Sequence, residues 1–224
     1  MRIVVGMSGA SGSIYGLRLM EKLRINPGIE IHLILTRAGE RTAFLETDRK
    51  IPQIKAMADY AYPVDDIGCR LASGSYPTGG MVVAPCSIHT MSAIATGVTD
   101  NLLLRAADVT LKERRKLILM VRETPFHLGH LRTMTALAEM GAIIAPPIPA
   151  FYHRPQSVQD LVDQLCGHIG KRRLEQGITL VEVVGSPPNP FSRFCLDHLD
   201  SNADLGDFFV ILPGIEPKFD GRRQ

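Results

Sequence analysis

Along the first three quarters of the chain, short apolar runs alternate with stretches whose apolar residues recur at helical spacing. Arg2–Met7 is a run of β type. It gives way at Ser8-Gly9-Ala10-Ser11-Gly12-Ser13 to Ile14, Leu17, Met20 and Leu23, which fall near a 3.6-residue period. This order predicts a strand, a glycine-rich turn and a helix. The alternation then repeats, with a strand at Glu30–Leu35, a helix at Ala38–Glu46, a buried strand at Met81–Ala84 ended by Pro85, and a helix from Ser87 to Thr96. Leu102–Arg115 reads as helix, Leu117–Val121 as strand, Leu128–Met140 as helix, and Ala142–Ala145 as a short strand stopped by Pro146-Pro147. From Ser157 a further helix places Val158, Leu161, Val162, Leu165, Cys166 and Ile169 on one stripe. Ser157 and Asp160 form a capping-box-like start, and His168 falls at the stripe's edge.

Strands separated by helices pair in parallel and need helices on both faces. The expected fold is therefore α/β, a Rossmann- or flavodoxin-like three-layer α/β/α domain over residues 1–175 with a parallel sheet. Past Glu175 the periodicity stops. Pro187-Pro188-Asn189-Pro190 and then Phe208-Phe209-Val210-Ile211-Leu212 mark 176–224 as a C-terminal extension, read as an arm.

Composition changes this picture little. A chain of 224 residues with 45% hydrophobic and 21% charged residues suits one globular domain with a tail. No apolar run approaches the ~18 residues of a membrane span. Met1–Met7 has no basic stretch before it and no small-residue cleavage site after it, so it reads as a first strand and the expected location is cytoplasmic. A net charge of +2, without a basic stripe interleaved with aromatics, argues against a nucleic-acid surface. Cys69, Cys86, Cys166 and Cys195 are widely spaced, as scattered reduced thiols are. His127 and His130 lack a third ligand at metal spacing, so no metal is expected.

The candidate chemistry lies where strands end. In a parallel sheet, ligands bind beyond the carboxyl ends of strands, at turns leading into helix N-termini. Gly9-Ala10-Ser11-Gly12 sits at such a place, where small residues let backbone N–H groups approach a phosphate or a flavin edge. The spacing G-x-x-G is neither a dinucleotide nor a Walker signature, and a ligand-free turn accounts for it equally well. Pro85-Cys86-Ser87-Ile88-His89-Thr90 offers a second turn of the same kind. Cys86 reads better as a packed thiol than as a nucleophile. Arg105 and Lys112 share one helix face, about 10 Å apart. Arg122 and Glu123 reach the next carboxyl end together, either as a buried ion pair or as ligand-facing groups.

Taken together, Gly9-Ala10-Ser11-Gly12 with Tyr15-Gly16, Pro85-Cys86-Ser87, Arg105-Ala106-Ala107-Asp108 running to Leu111-Lys112-Glu113-Arg114-Arg115, Arg122-Glu123-Thr124-Pro125 and Phe151-Tyr152-His153-Arg154-Pro155-Gln156-Ser157 resemble the UbiX-like flavin prenyltransferases. The resemblance is collinear from about Arg2 to Ile169. It implies that Gly9, Ala10, Ser11, Thr36, Ser87, Ile88, His89, Thr90 and Arg122 hold FMN, and that Arg105, Lys112, Tyr152 and the position of His168 meet a prenyl phosphate, partly across a subunit boundary. It also implies joining a dimethylallyl group from dimethylallyl phosphate to N5 and C6 of reduced FMN, without a metal, in a homo-oligomer, typically a dodecamer. A flavin reductase would supply the reduced FMN and a UbiD-like decarboxylase would receive the product. In that reading Glu123 protonates the leaving phosphate, Glu46 or a nearby base takes the C6 proton, and Ser11 orients the flavin near N5.

The chain departs from the family at two points. His168 stands where an arginine binds the phosphate, with Arg172 one turn further on, and the chain has no Trp to cover the site, leaving Phe191 or Phe194 for that role. The competing readings are an FMN-binding accessory subunit of an aromatic-acid decarboxylase and, after it, a flavin-dependent oxidative decarboxylase.

Overall fold

The computed structural model describes residues 1–174, which lie within the first of the two units into which the chain divides, Met1–Glu182 and Val183–Gln224. The expected arm over 176–224, with Phe191 and Phe194, lies outside the described residues. So do the side chains of residues 168 and 170–174, among them His168 and Arg172.

Six strands, β1 (Arg2–Met7), β2 (Glu30–Leu35), β3 (Tyr60–Tyr62), β4 (Gly80–Cys86), β5 (Lys116–Val121) and β6 (Ile143–Ile144), form one parallel sheet in the order β3-β2-β1-β4-β5-β6. The helices are α1 (Ser13–Arg24), α2 (Arg37–Glu46), α3 (Ile51–Lys55), α4 (Ile88–Ala95), α5 (Leu102–Lys112), α6 (Leu128–Glu139) and α7 (Val158–Leu174). Several begin on a polar cap: Thr36 accepts from Gly39 N–H, Ser87 from Thr90 N–H and Asn101 from Leu104 N–H. The order of strands reverses between β1 and β4, and in open parallel sheets ligands bind outside the carboxyl ends at such a switch point.

Alternation along the strands feeds two faces. On one, Val82, Ala84, Ile118 and Met120 pack with Leu19 of α1 and with Val162, Cys166 and Ile169 of α7. On the other, Met81, Val83, Leu117 and Leu119 pack with Met91, Leu102, Leu103 and Leu137 of α4, α5 and α6. The three-layer α/β/α expectation is met.

The structure adds elements that the pattern does not announce: α3, β3 and a 3-10 turn at Arg70–Ala72. Each spans five residues or fewer, too short for a period to register. The expected helix Leu102–Arg115 stops at Lys112. Arg114 N–H bonds Leu111 O at 2.9 Å and Arg115 N–H bonds Thr110 O at 2.8 Å, a Schellman ending with Arg114 in the left-handed region, φ 52°. Arg154 has φ 54°. This conformation costs an L residue about 1–2 kcal/mol.

Helix α7 is docked on α1 by charge as well as by packing. Asp163 takes Arg18 Nη2 at 3.1 Å and Lys22 Nζ at 2.9 Å. Burial pulls the Asp163 carboxyl up, but the bonds from Arg18 and Lys22 outweigh it and hold it at about 2, from an ordinary 3.8. A lowered carboxylate contributes its full stability above the unfolded value and loses it as pH falls through the folded one. Asp163→Asn is therefore expected to lower the thermal midpoint by about 2–4 °C at pH 7. The gap from the unsubstituted chain should close as pH falls from 3.8 to about 2, which thermal unfolding across that range measures.

Candidate functional site

At the switch point the turns after β1 and β4 are stitched together by one side chain. The Ser8 hydroxyl donates to Pro85 O at 2.9 Å and accepts Ser87 N–H at 2.8 Å, while Ser8 N–H also bonds Pro85 O at 3.2 Å. Ser8 is 2% exposed, so Ser8→Ala leaves a polar group unpaired in the interior. The expected cost is about 1–3 kcal/mol, read as a lower thermal midpoint. Gly9 is required by contact, since a Cβ there would lie 2.5 Å from Ala38 Cβ. Gly12 is required by conformation, with φ 101°.

The two helix N-termini at this edge differ. Glu46, at the end of α2, caps α1: its carboxylate accepts Gly12 N–H at 3.0 Å and Ser13 N–H at 2.8 Å, and the Ser11 hydroxyl bonds it as well. Burial pushes the Glu46 carboxyl up, but the bonds from Ser11, Ser13 and Gly12 prevail and hold it below the usual carboxylate range. The positive end of α1 is thus already neutralised from within the chain. At α4 the Ser87 hydroxyl accepts Thr90 N–H at 3.2 Å and lies 3.1 Å from Thr90 Oγ1. The N–H groups of Ile88 and His89 have no partner among the described residues. That helix end lies at the carboxyl rim with its positive pole open.

Arg122 N–H bonds Cys86 O at 2.9 Å, which sets the exposed Arg122 side chain beside the open end of α4. It is near enough to Tyr15 to offset part of the rise that burial imposes on the phenol. Glu123 is exposed and its carboxylate accepts Thr124 N–H at 2.9 Å. Cys86 is fully buried and burial alone pushes its thiol far up, which removes it as a nucleophile. The structure therefore gathers Gly9, Ala10, Ser11, Thr36, Glu46, Ser87, Ile88, His89, Thr90, Arg122 and Glu123 along one carboxyl rim.

It does not gather all the cations. Helix α5 begins at that rim, where Leu102 N–H bonds Val64 O at 2.8 Å, and its eleven residues carry the chain roughly 15 Å toward the amino edge. Arg105, near its start, donates to Ala72 O at 3.2 Å and to Asp108 at 2.7 Å. Lys112, at its end, pairs with Glu113 beside Gly74. Tyr152 is 81% exposed, with its hydroxyl 3.2 Å from Gln164 Nε2. Helix α7 runs antiparallel to α1, with Asp163 meeting Arg18 and Lys22 and the Cys166 thiol meeting Tyr15 O at 3.5 Å, so residue 168 lies level with the start of α1. Within one chain Lys112 and Ser11 are at opposite edges of the sheet. The sequence pattern assigns no role to Ser8 or Asp108. A buried serine ending an apolar strand was the available sign for the first, and an acid three residues after an arginine on one helix for the second.

Small-residue turns and an open helix N-terminus at one rim suit an anionic ligand such as a mononucleotide phosphate. The Flavoprotein family matches residues 1–170. The flavin prenyltransferase UbiX of Escherichia coli K12 is 54% identical over 168 residues, 75% of this chain and 89% of that protein. Among solved structures, AnUbiX (PadA1) in complex with FMN and dimethylallyl pyrophosphate superposes with TM-score 0.75 at 42% identity, covering 77% of this chain and 91% of that one. The dodecameric FMN-dependent Ubix-like decarboxylase from Escherichia coli O157:H7 also gives 0.75, at 41% identity, covering 79% of this chain and 94% of that one. With the stitched turns and the open α4 terminus seen at the switch point, likeness of this extent shows that the chain belongs to the Flavoprotein family and, within it, to the flavin prenyltransferases.

Proposed function

We propose that the chain joins the dimethylallyl group of dimethylallyl phosphate to reduced FMN, first at N5 and then at C6, giving prenylated FMN. The observation that carries this reading is the asymmetry of the two helix ends at the rim. The α1 end is filled by Glu46, whereas the open α4 end beside Arg122 suits the FMN phosphate. That placement directs the isoalloxazine toward the Ser11 turn. The binding of FMN and dimethylallyl pyrophosphate by AnUbiX supports the same pairing of ligands.

Ser11, which helps to hold the Glu46 carboxyl below its usual range, orients the flavin near N5. Glu46 is ionised and well bonded, which suits it to hold Ser11 and makes it a weak base until those bonds loosen. Glu123 gives a proton to the phosphate as the allylic C–O bond breaks, and Arg105, Lys112 and Tyr152 hold that phosphate. The N5–C bond forms with loss of the N5 proton. Closing the ring takes a proton from the released, protonated phosphate onto the prenyl double bond, forms the bond to C6 and passes the C6 proton to Glu46 or a neighbouring base.

Because Lys112 lies at the far edge of its own sheet, a second copy completes the pocket, in a homo-oligomer that we take to be a dodecamer like the Escherichia coli O157:H7 relative. Each turnover consumes one reduced flavin. The reading therefore includes a flavin reductase upstream and a UbiD-like decarboxylase downstream, in the cytoplasm. Anaerobic incubation with reduced FMN and dimethylallyl phosphate, followed by mass analysis of the extracted flavin, tests it. A gain of one five-carbon unit is expected. Flavin bound but unaltered would favour the accessory-subunit reading instead.

A further inference from the structure

The segment Lys112-Glu113-Arg114-Arg115 ends α5, and most of its charge is already committed. Lys112 pairs with the Glu113 carboxylate. Arg115 donates to Gly74 O at 2.7 Å, Tyr76 O at 2.9 Å and Thr78 Oγ1 at 3.4 Å, tying down the chain that leads into β4. Arg114 is exposed, and its guanidinium has no hydrogen-bond or ion-pair partner among the described residues. Its backbone occupies the position of a Schellman ending at which glycine fits without strain. A long side chain kept where its own backbone is disfavoured, and bonded to nothing among the described residues, directs attention to a role outside the fold.

The same combination recurs once. Among the described residues Arg114 and Arg154 are the only non-glycine positions with positive φ, 52° and 54°. Arg114 stands two residues beyond Lys112, and Arg154 two residues beyond Tyr152; Lys112 and Tyr152 are both assigned above to the prenyl phosphate. The charge balance points the same way. Lys112 and Glu113 together are neutral, and a phosphate dianion entering there needs a cation that no carboxylate already holds. A guanidinium also offers paired donors that match two phosphate oxygens.

We infer that Arg114 is a further phosphate-binding residue of the prenyl-donor site, acting beside Lys112. The inference rests on the proposed function and adds a residue to it. Arg114→Gly removes the cation and relieves the backbone together, so the two effects separate. The expected result is a KM for dimethylallyl phosphate raised about tenfold, an unchanged Kd for FMN, and a thermal midpoint higher by about 2–4 °C. Arg114→Lys, which keeps the charge, should bring KM back to within about threefold of the starting value. A KM left unchanged by Arg114→Gly while Lys112→Ala raises it would overturn the inference and leave the proposed function standing. Weakening of FMN and prenyl phosphate alike, with a lower midpoint, would also overturn it, by showing a structural role. Failure of the unsubstituted chain to alkylate flavin would overturn both.

Discussion

Replacing Glu123 by Gln is expected to cut turnover by about 10²–10⁴-fold and to leave FMN affinity within about twofold. The side chain is exposed just beyond β5, next to Arg122, and its one bond among the described residues is accepted from Thr124 N–H at 2.9 Å. Gln has the same size and can accept that bond, so the turn keeps its shape and Arg122 keeps its place. What the substitution removes is a proton that can be given to the departing phosphate. In the proposed mechanism transfer of the allylic group depends on that event, whereas flavin binding is assigned to the α4 terminus and Arg122. Single-turnover rates under anaerobic conditions, set beside a fluorescence titration of FMN, separate the two. Equal loss of both would refute the assignment.

Gly16→Val is expected to produce the largest loss of stability. A Cβ at residue 16 would lie 2.3 Å from Ala84 O and 3.0 Å from two side-chain atoms of Met7. The Ala84 contact is with backbone in the middle of the sheet, so it cannot be relieved by a rotamer, and α1 must move off β4. Overpacking of this kind costs about 3 kcal/mol or more, a fall in the thermal midpoint of roughly 6–12 °C for a chain of this size. Because the start of α1 carries Ser11–Ser13, the displacement should also weaken flavin binding. Gly167 on α7 is the control. A Cβ there meets nothing within 4 Å, so Gly167→Ala should be neutral or raise the midpoint. Matching losses from the two substitutions would show that the α1–β4 contact is not what is being measured.

The parts of the molecule legible in the sequence are those where burial imposes a period. The long strands β1, β2, β4 and β5 and the helices α1, α5, α6 and α7 are each read off apolar spacing, with ends within a few residues of those observed. The exposed β3 and the five-residue α3 have no period to read, and the left-handed turn at Arg114 shortens α5 against the local propensity. The site divides in the same way. The turns at Gly9–Gly12 and Ser87–Thr90 are placed at the carboxyl edge by strand order alone. That Glu46 closes one helix end and leaves the other open depends on α2 folding back over the first turn, a contact across 34 residues that no spacing predicts. Arg105 and Lys112 could be placed on one helix face from sequence, but that the face leads away from the rim follows from the direction of α5.

Lys112 and the Ser11 turn stand apart within one chain, so a working pocket needs two copies, and mixing two impaired variants measures this directly. In the proposed pocket Glu123→Gln spoils the rim of every copy that carries it, and Lys112→Ala spoils the cationic stripe of α5, Arg105 and Lys112, that a copy lends to another. When the two are dissociated, mixed in equal amounts and reassembled, about a quarter of the pockets should combine an intact rim with an intact stripe. Prenylated FMN should then form at about that fraction of the unsubstituted rate. A mixture no more active than its two components measured apart would place rim and stripe in the same chain and contradict the account.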